Sequence, residues 1–287
     1  MKVVQNALML LIVCAVLMPV TILAADDPLL MGVFPRRNVK LTHQMFTPLA
    51  DHLSQQLGRE VKLKTSKDFK TFWSDLQKRE FDLVHFNQYH YVVANEKLGY
   101  EAIVKNVEYG EATLAGSIMV RSDSGIKSLE DLRGKKVLFG GGPRAMVSYI
   151  VPTYMLRMAG LKKGDYLEAF AKNPPNAILS TYHRQADAAG MGTVVSRLRV
   201  VTEAIDIGEM EFLAKGDALP HLPWAVKGDM PAELKNKIQL ILTGLKETIP
   251  GQVVLDAMEM SDMQSVNNDA YNQHRSIINS VFPDGRP

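Results

Sequence analysis

The stretch LLMGVFPRRNVKLTHQMFTPLADHLSQQLGREVKLKTSKDFKTFWSDLQKREFDLVHF, residues 29–86, decides the fold. It opens on Leu29-Leu30-Met31-Gly32-Val33-Phe34, an apolar run of strand length that stops at Pro35. Met45, Leu49, Leu53 and Leu57 then recur at helical spacing, and Gly58 stands where a left-handed residue closes a helix. Val61-Lys62-Leu63-Lys64-Thr65 alternates as a half-exposed strand does. Asp68 is placed to cap a helix carrying Phe69, Phe72, Trp73 and Leu76 on one face. Phe81 to Phe86 reads as a third strand. Strand and helix thus alternate repeatedly, the pattern of βαβ units and a parallel sheet.

A second alternating block begins at Ser117-Ile118-Met119-Val120-Arg121. Ser128 is expected to cap a short helical turn with Asp131 at its third position, and Gly134 to end it. Lys135 to Phe139 reads as a strand. Gly140-Gly141-Gly142 follows, with Pro143 placed to open a helix running to Ala159-Gly160. Asn176 to His183 is expected to be helical and Ala186 to Met191 a short buried strand. From about Phe212 the chain becomes a Pro-punctuated connection, and two helices complete it, Pro231 to about Leu245 and Asp269 to Val281. No repeat or long linker interrupts this order.

Toward the N-terminus, Lys2 precedes an apolar run from Ala7 to Leu23, and Ala24-Ala25 then meet Asp26-Asp27. That is the layout of a secretory signal peptide, residues 1–25, with cleavage expected after Ala25. Cys14, the one cysteine, lies inside this segment, so the mature chain is expected to hold neither disulfide nor thiolate. The 287 residues are 46% hydrophobic and 22% charged with a formal net charge of +2. No charge excess points to nucleic acid or a membrane surface.

The motifs of enzyme chemistry are missing. His85 and His90 have no cysteine or carboxylate at metal-ligand spacing. The glycines at 140–142 lack the Lys-Ser/Thr of a phosphate loop and the spacing of a dinucleotide fold. No nucleophile elbow occurs. The chain reads as a non-enzyme without cofactor or metal.

Several segments resemble one family. FDLVHFNQYHYVVA (81–94), VRSDSGIKSLEDLRGKKVLFGG (120–141), Ala186-Asp187-Ala188-Ala189, GDALPHLPW (216–224) and Met230-Pro231-Ala232-Glu233-Leu234 are similar, in order, to stretches of the periplasmic phosphonate/phosphite/phosphate-binding proteins of ABC importers. The resemblance implies an α/β type-II periplasmic binding fold: two lobes with mainly parallel sheets, two hinge crossings, and a ligand cleft between. One lobe would comprise 26–117 and 210–287, the other 118–209. It also implies a periplasmic monomer that binds a small molecule and hands it to an inner-membrane ABC permease, the alternative being a membrane sensor.

The departures from the family bear on the ligand. Pro143-Arg144-Ala145-Met146 stands where the family has hydroxyls at a helix start. Phe86 replaces a frequent tyrosine, Asn87-Gln88 replace a small pair, and Pro174-Pro175 replace a histidine before Asn176. Phe34-Pro35-Arg36-Arg37 replaces a hydroxyl-bearing loop. Two readings stay open. Arg36 and Arg144, with Arg37 beside the first, can hold an oxyanion bidentately. Or Phe34, Phe86, Met146, Tyr149 and Met191 line a cleft for a less polar, amphipathic or lipid-like molecule. The loops after the strands, where open α/β sheets bind ligands, are expected to carry the contacts: Phe34, Arg36, Arg37, Phe86, Asn87, Gln88, Arg144, Ala145, Met146, Tyr149, Asn176 and Met191.

Overall fold

The computed structural model describes residues 27–287. The expected signal segment, its cleavage site and Cys14 lie outside the described residues. The strands in chain order are β1 (Leu29–Val33), β2 (Val61–Thr65), β3 (Leu83–His85), β4 (Tyr100–Val107), β5 (Thr113–Leu114), β6 (Gly116–Arg121) and β7 (Lys136–Gly140). They continue as β8 (Leu167–Ala171), β9 (Ala188–Gly192), β10 (Met210–Lys215), β11 (Leu219–Pro220), β12 (Pro223–Lys227) and β13 (Asp262–Ser265).

Two sheets result, of six strands in the order β13-β4-β12-β3-β1-β2 and of five in the order β10-β6-β9-β7-β8. The β1–β2, β1–β3, β7–β8 and β7–β9 ladders are parallel, as βαβ units require. β12 and β13 run against the first sheet and β6 against the second, so most strands of each sheet point one way. The chain passes between the sheets twice, and at the crossings β5 and β11 pair as a short antiparallel ribbon. The α/β class and two-sheet plan agree with the sequence reading.

Local signals explain most elements. Asn38 and Asp68 accept the N–H groups of Leu41 and Thr71 and so start helices Val39–Leu57 and Phe69–Gln77. Gly58 ends the first of these at φ +67°. Four expectations need correction. Met210–Lys215, grouped with the first lobe, is hydrogen-bonded to β6 in the second sheet, and β6 begins at Gly116, before the expected boundary. The Ser128 hydroxyl caps nothing; instead the Asp131 carboxylate accepts the N–H groups of Lys127 and Ser128, and the turn is 3-10, Glu130–Leu132. Pro143 does not open a helix, which starts with a wide π turn at Met146–Ile150 and becomes α-helical at Val151–Met158. Pro152 has no N–H, and its ring would strike the Ser148 carbonyl in a regular α turn; the wider turn relieves both faults. The end of the chain holds a third helix, Ile249–Ala257, besides Ala232–Thr243 and Asn272–Val281.

Gly140 is a packing glycine. A Cβ there would lie 2.4 Å from Pro174 Cα, so its absence lets helix Pro174–Tyr182 start against the end of β7. Helix Asn272–Val281 packs against helices of both lobes, Gln88–Leu98 and Val151–Met158. One apolar cluster accordingly runs from Phe86 and Tyr271 to Ile118 and Phe139.

Candidate functional site

A cavity of about 480 Å³ separates the two lobes. The first lobe contributes Val33, Phe34, Arg36 and Arg37 from the end of β1 and the loop beyond it, and Thr42, Met45 and Phe46 from the following helix. His85 enters from the end of β3, and Met258, Glu259 and Met260 from the segment before β13. The crossing adds Glu108 and Tyr109. The second lobe supplies Asn173, Pro174 and Pro175 after β8, then Val194, Val195, Leu198, Arg199 and Val200 after β9. These loops follow the carboxyl ends of parallel strands, where open α/β sheets place their ligands.

The floor of the cleft is a polar network whose proton positions are fixed by its ends. Trp224 Nε1–H, which can only donate, gives its hydrogen to Asn106 Oδ1 at 3.0 Å. The Glu108 carboxylate accepts from Asn106 Nδ2 at 3.0 Å. The second Asn106 amide hydrogen therefore goes to His85 Nε2, 3.2 Å away, and the neutral His85 ring carries its proton on Nδ1. Burial holds the His85 pKa well below its usual value, and the Arg36 and His221 charges push the same way. His85 Nδ1 is buried with no partner in the protein.

Glu108 sits where several charges meet. Its Oε1 receives Arg36 Nη1 at 3.4 Å, and its Oε2 is 3.8 Å from His221 Nε2. Burial alone would raise its pKa, but Arg36, His221 and the Asn106 amide together hold it below the usual value, so the carboxylate is ionised. His221 Nδ1 accepts the Leu222 N–H, which puts the ring proton on Nε2, toward Glu108. Burial lowers the His221 pKa to about 4 despite the opposing pull of Glu108. The other two arginines of the cleft are also paired, Arg37 with Glu259 and Arg199 with Glu203.

Of the residues expected from sequence, Phe34, Arg36 and Arg37 meet in this cavity. The others stand elsewhere. Phe86 is fully buried, edge-on to Phe72, Tyr91 and Tyr100. Asn87 caps helix Gln88–Leu98 by accepting the Tyr89 N–H at 2.9 Å. Gln88 is buried at the first turn of that helix, its Nε2 without a partner. Arg144 Nε and the Tyr89 hydroxyl both donate to the Pro287 carbonyl, at 3.1 and 2.8 Å, outside the cavity. Ala145 is half-buried, and Met146 and Met191 are core residues. Tyr149 is buried against Phe139 and Phe170, its hydroxyl donating to Glu168 at 3.0 Å. Asn176 is exposed, and its backbone N–H is held by the Asn173 side chain. The residues missed are His85, Glu108, Tyr109, Asn173, Arg199 and Glu259. Strand parity could have found the first: Val84 and Phe86 share the cluster beneath helix Gln88–Leu98, so His85 must face the other way.

An α/β chain of two sheets, joined by two crossings around a ligand-sized cleft, has the architecture of the type-II periplasmic binding proteins. Solved structures agree. The chain is similar to a binding protein component of an ABC phosphonate transporter from Pseudomonas aeruginosa, with 18% identity, coverage of 87% of this chain and 85% of that one, and a TM-score of 0.70. It is similar to a methylphosphonate complex of PhnD1 from Prochlorococcus marinus, with 16% identity, 88% and 98% coverage and a TM-score of 0.73. A Xanthomonas citri protein bound to ATP matches at 14% identity, 87% and 95% coverage and a TM-score of 0.75. At these identities the likeness carries the fold alone. The sequence itself, over residues 31–271, matches the family described as ABC transporter, phosphonate, periplasmic substrate-binding protein, and the chain belongs to that family. The family works in the periplasm as the solute-binding part of a transporter, not as an enzyme. Among the described residues no helix is long and apolar enough to cross a membrane, and no three His, Cys, Asp or Glu side chains group as metal ligands.

Proposed function

We propose that this chain binds an amphipathic anion in the interlobe cleft and presents it to an inner-membrane ABC permease. Closure would turn about the two crossings, residues 108–115 and 216–222, with ligand contacts from both lobes offsetting the cost of the hinge motion. The observation that carries the ligand assignment is that all three cleft arginines already have carboxylate partners, Arg36–Glu108, Arg37–Glu259 and Arg199–Glu203. A compact dianion entering here would displace one of these pairs and then lie beside the carboxylate it displaced. The apolar walls favour a ligand with a hydrocarbon body instead: Phe34, Met45 and Phe46 on one side, Val194, Leu198 and Val200 on the other. Each buried methylene contributes about 0.8 kcal/mol, roughly a fourfold gain in affinity. A small anionic head then needs only partial release of one arginine.

Calorimetry with methyl-, butyl- and octylphosphonate tests this. Affinity should climb with chain length, octylphosphonate binding at least a hundredfold tighter than methylphosphonate, within the roughly fourfold gain per methylene. Equal or tighter binding of methylphosphonate would restore a simple phosphonate as the ligand. Mass spectrometry of small molecules released from the protein purified out of the periplasm would identify the natural one.

A further inference from the structure

Among the described residues four non-glycines have φ in the left-handed region, and two of them, Tyr109 at +53° and Glu259 at +58°, line the cleft. Tyr109 and Gly110, at φ +78°, are the central pair of a tight turn. Glu108 and Glu111 close it by exchanging both backbone hydrogen bonds, at 3.1 and 2.9 Å. Positive φ at both central positions is the geometry that favours Asn-Gly or Gly-Gly. A side chain as large as tyrosine is unfavourable at the first of them. The turn is nonetheless pinned: Gly110 N–H donates to Ser261 Oγ at 3.0 Å and Ser261 N–H to the Val107 carbonyl at 2.8 Å.

The ring held this way is 64% exposed although it borders the cavity. Little burial therefore offsets the strained backbone at this position. Val200, on the second lobe's wall of the same cavity, is 55% exposed. An aromatic surface and an aliphatic surface thus stand uncovered along one cleft, one at the crossing and one on the second lobe. Residues kept in unfavourable conformations at a binding cleft mark a place where function outweighs stability.

We propose that Tyr109 is a specificity-determining ligand contact: its ring closes over the apolar body of the ligand, with Val200 covering it from the second lobe. The assignment rests on the amphipathic-anion reading of the cleft. Arg36 and Glu108 lie next to the turn at the cavity floor, so the anionic head faces inward and the hydrocarbon lies under Tyr109. This orientation makes Tyr109 select for the tail and not for the head.

The experiment uses the purified protein, octylphosphonate as probe, and the variants Tyr109→Asn and Tyr109→Phe. Asparagine suits the left-handed turn, so Tyr109→Asn should raise Tm by about 2 °C. It should also weaken octylphosphonate binding about five- to tenfold, because the aromatic contact is gone. Tyr109→Phe keeps the ring and should bind octylphosphonate within about twofold of the wild type. Wild-type affinity in Tyr109→Asn overturns the proposal, including the case where transport alone suffers, which would make the ring a permease contact. A joint fall of Tm and affinity overturns it too, since it marks a structural residue. If the wild-type protein itself does not bind octylphosphonate, the amphipathic reading falls and the Tyr109 assignment with it; binding by the wild type with no loss in Tyr109→Asn sinks the Tyr109 assignment alone.

Discussion

The His85 imidazole lies flat on the Trp224 indole, ring centroids 4.6 Å apart and planes 6° from parallel. The two rings are also joined through one amide, since Asn106 accepts from Trp224 Nε1 and donates to His85 Nε2. β3 and β12 bring them together, with His85 opposite Trp224 in an antiparallel ladder. Asn106 is wholly buried and satisfies Trp224, His85 and Glu108 at once. Asn106→Leu would leave a buried N–H, a ring nitrogen and a carboxylate oxygen without that partner. Each orphaned group costs about 1–3 kcal/mol, so a loss of about 3 kcal/mol or more is expected in urea denaturation. A loss below about 1 kcal/mol would show that water replaces the amide without penalty.

Four buried histidines should make the protein acid-sensitive. His85 is held neutral well below its usual pKa by burial, and burial also takes His90 and His274 to about 3 and His221 to about 4. Here the folded pKa values are depressed, so below about pH 6.5 the unfolded chain binds protons that the folded protein refuses. The stability these groups contribute is complete above pH 6.5 and drains as pH falls toward their folded values. Each fully linked histidine contributes a slope of about 1.4 kcal/mol per pH unit in this window. The urea midpoint should be nearly flat from pH 7 to 8.5 and fall steeply between pH 6 and 4.5. His274→Leu, which removes one protonatable ring from the core, should make that fall shallower. An unchanged slope in the variant would mean that His274 does not take part.

How much of this was legible in the sequence depends on the signal each residue carries. The first three strands and two helices were readable because their signals and periods agree: Asp68 holds a helix start, and Gly58 closes a helix at positive φ. β4, β8 and β13 were not marked because none is a clean apolar run: Glu101, Lys105 and Asn106 interrupt β4, β8 is half-exposed, and β13 is the mostly polar Asp262-Met263-Gln264-Ser265. The loops after β1 and β3 do border the cavity, but the loop after β7, where Arg144, Ala145, Met146 and Tyr149 were expected to act, does not, and at β3 the choice fell one residue off. A strand reverses its facing at each step, so choosing Phe86 over His85 selects the core instead of the cavity. Pro174 and Asn173 line the cavity while Asn176 faces solvent for the related reason that a helix turns its residues away. Glu108 and Tyr109 lie in a crossing that has no hydrophobic period, and only the three-dimensional pairing of Glu108 with Glu111 shows that they form a turn.

Neutralising Glu108 should strengthen anion binding. Its carboxylate holds Arg36 and faces the cavity. Glu108→Gln keeps the shape and a possible hydrogen bond but frees the guanidinium for the ligand. Octylphosphonate affinity is expected to rise several-fold, toward the roughly tenfold that a charged hydrogen bond of about 1.5 kcal/mol supplies. Arg36→Ala should lower it by about the same factor. Loss of binding in Glu108→Gln would reverse the assignment and show that the carboxylate recognises a cationic group.

Phe34 and Phe86 offer the sharpest separation between lining and core. Both were grouped as cleft residues by sequence and both are buried. Phe34 borders the cavity and meets His85 edge-on at 5.2 Å, whereas Phe86 packs among Phe72, Tyr91 and Tyr100 beneath the sheet. Phe86→Ala opens a void with no outlet to the cleft and should cost about 3–5 kcal/mol of stability. Well below its melting temperature it should still bind octylphosphonate within about twofold of the wild type, because its effect on the cleft is indirect. Only 4% of Phe34 is accessible, so Phe34→Ala acts by hollowing the cavity wall under the ligand's tail and removing its dispersion contacts, and should weaken octylphosphonate at least about threefold. Methylphosphonate, which does not reach that wall, should bind both variants alike. Thermal melts and calorimetry on the two variants decide it: equal losses of affinity would mean that both rings act through the stability of the first lobe, and that Phe34 is not part of the binding surface.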